Sequence, residues 1–268
     1  MTADGAWLVA LDLDGTVLDY QERLSAAVVD AVSATRAAGH HVVLATGRSV
    51  TATLPVARAL GISQGWAVCS NGSLTIRMDP ALKLGYEVVE MVTFDPGPAI
   101  RLLHAHLPDA LFAVEEIGVG FRMNKPFPPG ELHGDHTIVG IEDLAAEHVT
   151  RLVVRSPEHT PDEFHALVAQ VGLHDVTYAI GWTAWMDVAP EGVTKASALE
   201  LLRDRLGVGG RTVAVGDGSN DVDMLRWATR GIAMGHAAPD VRAAADEVTG
   251  AVDADGVVAA LESLPGRS

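Results

Sequence analysis

The chain has 268 residues, 48% of them apolar, and a net charge of −16, enough apolar material for one large or two ordinary cored domains. So acidic a balance argues against nucleic acid or an anionic membrane as partner, and no apolar run reaches the ~18 residues of a membrane span. The first apolar segment stops at Asp12 without a basic leader and so does not read as a signal peptide, and the single cysteine, Cys69, excludes an internal disulfide and fits a reducing cytoplasm.

The opening stretch Leu8-Val9-Ala10-Leu11 reads as a buried strand, because strands covered on both faces are continuous apolar runs. It ends in Asp12-Leu13-Asp14-Gly15-Thr16, and ligands of open α/β sheets sit just past the carboxyl ends of such strands. Asp12 and Asp14 are two apart and point to opposite sides, so they cannot do the same job. A plain polar turn is the other reading of this stretch. Ser25 caps a helix to about Ala38, stopped by Gly39. His41–Ala45 is the next strand, ending in Thr46-Gly47-Arg48 ahead of a helix that reaches Leu60. This βαβ pattern implies neighbouring parallel strands and puts Thr46 on the same edge as Asp12. Trp66–Ser70 gives a third strand, and Asn71-Gly72 before Ser73–Ile76 reads as a hairpin turn.

From about Met78 to Asp187 the texture changes: Tyr86–Glu90 and Thr150–Val154 alternate apolar and polar residues, which predicts a sheet with one open face. Asp95-Pro96 opens a helix toward Leu107, Thr160-Pro161-Asp162-Glu163 is a capping box, and Lys125–Gly130 is a loop. This region reads as a separate α+β module inserted into the first. The α/β texture then returns: a helix capped by Thr194 to about Leu206, a strand Thr212–Val215 ending in Gly216–Asp221, a further helix, strands at Gly231–Met234 and near Glu247, and a last helix from Gly256 to Leu264.

One sheet therefore gathers Asp12, Asp14, Thr46, Asp217, Asn220 and Asp221 at a single edge. Like charges ~4 Å apart repel by several kcal/mol at an effective dielectric near 20, so a cation must sit among them. Hard oxygen ligands favour Mg²⁺, and Lys195, at the start of its helix, is a second candidate cation. Such a set, with Thr46 and glycine amides at helix starts, makes a phosphate site and leaves one carboxylate for covalent work. Helix capping by Ser219 or Asn220 accounts for only one of these polar residues. An EF-hand starting at Asp217 fails, because Val222 and Ala228 stand where glycine and glutamate are needed. If the reading holds, residues 12 and 217 lie within about 8 Å, close enough to share a cation.

Asp12-Leu13-Asp14-Gly15-Thr16, Ala45-Thr46-Gly47-Arg48, Gly192-Val193-Thr194-Lys195 and Gly216-Asp217-Gly218-Ser219-Asn220-Asp221 resemble the four ordered motifs of the haloacid dehalogenase superfamily, and within it the Cof-type phosphatases with a type IIB cap. The resemblance covers the whole chain. It implies an α/β fold with a Rossmann-like parallel-sheet core, residues 1–78 and 188–268, and an inserted α+β cap, residues 79–187, that selects the substrate. By the same resemblance Asp12 is the nucleophile and a Mg²⁺ ligand, while Asp14 binds the metal through its carbonyl and serves as general acid and base. Thr46, Gly47, Lys195 and Asn220 hold phosphate; Asp217 is the other direct carboxylate ligand, and Asp221 supports the metal from behind or through water. The one departure is Ala196 after the lysine, where the family often has glycine.

Candidate substrate contacts are Arg48, Arg122 and Trp182, with Glu115-Glu116, Lys125 and Trp185 as further possibilities; packing is the competing role of both tryptophans. His104 and His106 cannot share a helix face, and His133 and His136 read as surface or as a second metal site. The expected activity is Mg²⁺-dependent hydrolysis of a small phosphorylated metabolite, a sugar phosphate or a phosphorylated cofactor, through an aspartyl phosphate. The alternatives are a phosphomutase of the same superfamily and a non-catalytic phosphometabolite-binding protein. The sequence carries no sign of an oligomeric state.

Overall fold

The structure, a computed structural model, describes residues 5–181 and 183–264. Five strands come first: β1 (Leu8–Leu11), β2 (His41–Ala45), β3 (Gly65–Cys69), β4 (Leu74–Met78) and β5 (Tyr86–Met91). Six follow: β6 (Leu111–Glu116), β7 (Gly120–Met123), β8 (Asp135–Ile138), β9 (Leu152–Arg155), β10 (Val176–Ile180) and β11 (Trp185–Pro190). The last three are β12 (Thr212–Gly216), β13 (Arg230–Ala233) and β14 (Glu247–Val248).

The first and last groups form one eight-stranded sheet in the order β14-β13-β12-β1-β2-β3-β4-β5. It is parallel from β14 to β3, with β4 and β5 added antiparallel. The central strand explains itself: Val9 and Leu11 enter the core shared with helices Ala26–Ala37 and Gly256–Glu262, while Leu8 and Ala10 enter the core shared with Lys195–Leu206 and Val222–Trp227. Both faces are covered, so no polar residue interrupts the strand. The Ser25 hydroxyl accepts from the Val28 amide at 3.2 Å and starts the first crossover helix as its sequence predicts.

The middle group forms a second sheet, β10-β11-β9-β6-β7-β8, antiparallel except for the β7–β8 pair. One face carries Phe112, Val114, Leu152, Val154, Met186 and Val188 against helices Gly97–His106 and Pro161–Val171. The other carries Ala113, Phe121, Met123 and Val153, and Phe127 and Leu132 of the following loop fold over it. The face expected to be open is thus partly covered by that loop, and its Phe121 and Trp185 line a cavity.

Both expected boundaries of the inserted module move. β5 lies past residue 79 but pairs with β4 in the first sheet; its alternation is that of a half-exposed edge strand, with Val88 and Met91 in solvent. At the other end β11 stays in the second sheet to Pro190, paired with β10 and β9, so the return to the first sheet comes after residue 187.

Candidate active site

Three parallel strands end side by side, and each passes into a turn of polar residues. Asp12 follows β1, its amide still donating to Val215 at 3.0 Å, and Asp217 follows β12. Thr46 follows β2, with its amide on Val68 at 2.9 Å. Asp12, Asp217, Asp221 and Lys195 are all buried, Lys195 and Asp221 completely. One oxygen from each of the three carboxylates lies within 4.8 Å of the others, so residues 12 and 217 meet the separation that sharing a cation demands.

Lys195 reaches this cluster from the first turn of its helix. Its Nζ donates to Asp12 Oδ1 at 2.6 Å and to Asp221 Oδ1 at 2.7 Å. Burial alone would lower the ammonium, but Asp12 and Asp221 outweigh it and hold Lys195 above its ordinary value. Burial, followed by the charge of Asp221, pushes Asp12 well above the usual carboxylate range against the pull of Lys195. The same two causes raise Asp217 to about 6, with His236 pulling the other way.

The donor set fits a divalent cation: three carboxylates face one ammonium, and all ligand atoms are hard oxygens within reach of a common ion. The three are not equivalent. Asp221 already accepts from Lys195 through Oδ1 and from the Asp217 and Gly218 amides, at 2.9 and 2.8 Å, through Oδ2. It braces the turn, while Asp12 and Asp217 line the cavity in front.

Glycines let these groups approach. A Cβ on Gly15, whose φ is +80°, would stand 2.3 Å from the Asp217 carboxylate, and one on Gly216 would stand 2.5 Å from Asp221. Thr46 Oγ1 accepts from the Arg48 amide at 3.0 Å, and Gly47 lies on the cavity wall. Asn220 lines the cavity as well, with its amide nitrogen on Asn71 Oδ1 at 2.9 Å. Asp14 is exposed; Arg48 clasps it through Nε at 2.9 Å and Nη2 at 2.5 Å and also pairs with Glu22 at 2.6 Å.

Of the expected substrate contacts, Arg48 lines the cavity with its guanidinium already committed to Asp14 and Glu22. Arg122 is not brought there: it pairs with Glu147 at 3.2 Å and Glu116 at 3.5 Å away from the cavity. Trp182 lies outside the described residues, whereas its neighbour Trp185 is on the cavity wall. Glu115 is buried, bonded to Ser70 and Thr150, and Lys125 faces Asp109. His133 reaches the cavity, but neither histidine pair forms a metal-binding cluster among the described residues. Cys69 is buried and free, and burial pushes its thiol up to about 12, the setting of an inert core residue.

Three residues at this site escaped the sequence reading. His236 Nδ1 accepts from the Val252 amide at 3.2 Å, which leaves the hydrogen on Nε2 for Asp217 Oδ2 at 3.3 Å. Its position just after β13, at the same sheet edge, was the available signal. Tyr20 donates to the same oxygen at 3.3 Å from a loop that no pattern marks. Asn71 sits in the β3–β4 turn at φ 54° as its sequence predicts, but its amide also holds the Thr46 carbonyl at 3.1 Å while its side chain holds Asn220.

Comparison with known proteins matches this arrangement. The family of haloacid dehalogenase-like hydrolases covers residues 9–87 and 127–261. The pyridoxal phosphate phosphatase YbhA of Escherichia coli (strain K12) is 29% identical over 262 residues, 91% of this chain and 93% of that protein. The 5-amino-6-(5-phospho-D-ribitylamino)uracil phosphatase YitU of Bacillus subtilis (strain 168) is 24% identical over 270 residues, 96% of each. The structure of the HAD subclass IIB sugar phosphatase BT4131 has the same fold, with a TM-score of 0.79 and 23% identity over 96% of this chain and 98% of that one. With its four motifs gathered at one sheet edge and the family matched along most of its length, the chain belongs to the haloacid dehalogenase-like hydrolases and, among them, to the Cof-type phosphatases.

Proposed function

We propose that the chain is a Mg²⁺-dependent phosphatase that hydrolyses a small phosphorylated metabolite by way of an aspartyl phosphate on Asp12. The observation that carries this reading is the buried set of Asp12, Asp217 and Asp221 around Lys195, with Asp12 and Asp217 facing a cavity of about 510 Å³. Mg²⁺ held by Asp12, Asp217 and the Asp14 carbonyl supplies charge neutralisation for an anionic ester. Lys195 adds a fixed positive charge beside the nucleophile, and Thr46, the Gly47 amide and Asn220 hold the phosphoryl oxygens. Asp12 then attacks phosphorus in line. Asp14 gives a proton to the departing alcohol and takes one from the water that attacks the aspartyl phosphate, so one residue serves both half-reactions. Because Arg48 clasps Asp14 here, that exchange requires Asp14 to leave the pair and turn to the ester oxygen.

Residues of the second sheet, including Phe121, Arg151 and Trp185, line the same cavity, so we assign the inserted module the role of selecting the alcohol half of the substrate. A buried, unpaired Cys69 suits work in the cytoplasm. The test is phosphate release from a panel of phosphorylated metabolites with Mg²⁺ and with chelator. Release should require the cation and be lost by at least ~10³-fold in Asp12→Asn, with unchanged circular dichroism. Full turnover by that variant removes the covalent step.

A further inference from the structure

The turn between β3 and β4 is strained. Ser70, Asn71 and Gly72 stand at φ 49°, 54° and 107°, so two successive residues with side chains occupy the left-handed region that favours glycine. Such a conformation persists only where its surroundings over-determine it. What leans on this turn is the phosphate end of the cavity. The Ser70 and Asn71 amides donate to the carbonyls of Arg48 and Thr46, at 2.9 and 3.1 Å. Asn71 Oδ1 accepts from Asn220 at 2.9 Å, and a Cβ on Gly47 would stand 3.2 Å from the same oxygen. Gly72 lies against the Thr194 carbonyl, where the helix that carries Lys195 begins. Thr46, Gly47, Asn220 and the start of that helix thus all take their places from three residues that are not on the cavity wall.

The side-chain support for the turn comes from the inserted module. Ser70 is completely buried, and its hydroxyl donates to Glu115 Oε2 at 2.5 Å. Glu115 is buried on β6 of the second sheet, where its amide donates to the Arg151 carbonyl at 3.1 Å and Thr150 Oγ1 lies 3.5 Å from the same Oε2. Its Oε1 is buried without a hydrogen-bond partner among the described residues. Burial raises the Glu115 carboxyl above its ordinary value, with Arg151, Ser70 and Thr150 pulling it down. Taking such a group out of water for so few partners is costly. An apolar side chain such as that of nearby Ala113 would fill the place without that cost, but would give the Ser70 hydroxyl no acceptor there.

We propose that Glu115 is a positioning residue for the reaction: from the inserted module it holds Ser70, fixes the strained turn, and so sets Thr46, Gly47, Asn220 and Lys195 around the phosphoryl group. The module that faces the alcohol half of the substrate therefore also steadies the seat of the phosphate. This inference rests on the phosphatase reading of the same site.

The test measures calorimetric binding of inorganic phosphate in the presence of Mg²⁺, and kcat/KM for p-nitrophenyl phosphate and acetyl phosphate, whose leaving groups have little in common. Glu115→Ala should weaken phosphate binding about tenfold and lower kcat/KM for both esters by one common factor, because the loss falls on the half they share. Glu115→Gln, which keeps an acceptor for Ser70, should retain most of both. Ser70→Ala cuts the bond from its other end by removing a single hydroxyl, so it carries the test even if Glu115→Ala does not fold, and its losses should match. The double variant should be no weaker than either single one, since both cut the same bond. Unchanged phosphate affinity in Ser70→Ala, additive losses in the double variant, or a loss confined to one ester overturns the inference and leaves the phosphatase intact. Phosphate binding that falls in Ser70→Ala and holds in Glu115→Gln, with no phosphate released by the parent chain from either ester or from the metabolite panel, upholds the positioning role and overturns the phosphatase reading instead.

Discussion

Asp217 shows how much of the site is decided by single residues. Its carboxylate accepts from Thr16 at 3.4 Å, from Tyr20 and from His236, yet burial and Asp221 still raise it to about 6 from an ordinary 3.8. An acid raised on folding binds its proton more tightly in the folded chain than in the unfolded one. Its ionisation therefore costs the fold nothing below the unfolded value and becomes a full penalty once pH has risen through about 6. In chelator-treated protein, Asp217→Asn should raise the melting temperature at pH 7 and change it little at pH 4, read by scanning calorimetry at both. An equal effect at the two pH values would place the strain elsewhere. Gly15 makes the complementary case. Alanine there would have to hold φ +80° with a methyl 2.3 Å from Asp217, so Gly15→Ala should lower stability by about 1–3 kcal/mol in urea denaturation and displace the carboxylate, cutting turnover at least tenfold.

At the scale of elements, the site depends on where one helix begins. Thr194 caps helix Lys195–Leu206 by accepting from the Ser197 amide at 3.2 Å, and the next residue is the lysine that crosses to Asp12. Loss of such a cap costs about 1 kcal/mol. Thr194→Ala should therefore cost about that much in stability, and should lower kcat by more than it changes KM, because Lys195 is positioned rather than removed. Gly72 closes the arrangement from the other side, since a Cβ there would lie 2.2 Å from the Thr194 carbonyl. The start of that helix was legible because a cap is a local pattern, as was each acidic strand end, where an apolar run stops at a carboxylate. What was not legible is what packing supplies. The contact of Gly72 with Thr194 and the bond between Asn71 and Asn220 join segments more than a hundred residues apart, and nothing local marks either. The sheet that β5 joins is not legible for a related reason: alternation reports a half-exposed strand but not which sheet has the free edge, and β5 pairs with β4.

Across the whole molecule the charge is −16, and the deepest part of that imbalance is the cluster at the sheet edge. A divalent cation that binds only the folded chain stabilises it by mass action, about 2.7 kcal/mol at a hundredfold excess over its dissociation constant. For a chain of this size each kcal/mol moves the melting temperature by roughly 2–4 °C, so saturation should raise it by about 5–10 °C. Two kinds of stabilisation have to be separated, because any salt screens the repulsion that a net charge of −16 spreads over the chain. Screening depends on ionic strength and ignores which carboxylate is removed; binding at the cluster does neither. Millimolar Mg²⁺ at constant ionic strength should therefore raise the melting temperature of the parent chain but leave Asp217→Asn almost unmoved, while sodium chloride should affect the two alike. A Mg²⁺ response that survives in Asp217→Asn would place the cation away from the three strand ends, and would break the link between the fold's acidic edge and its chemistry.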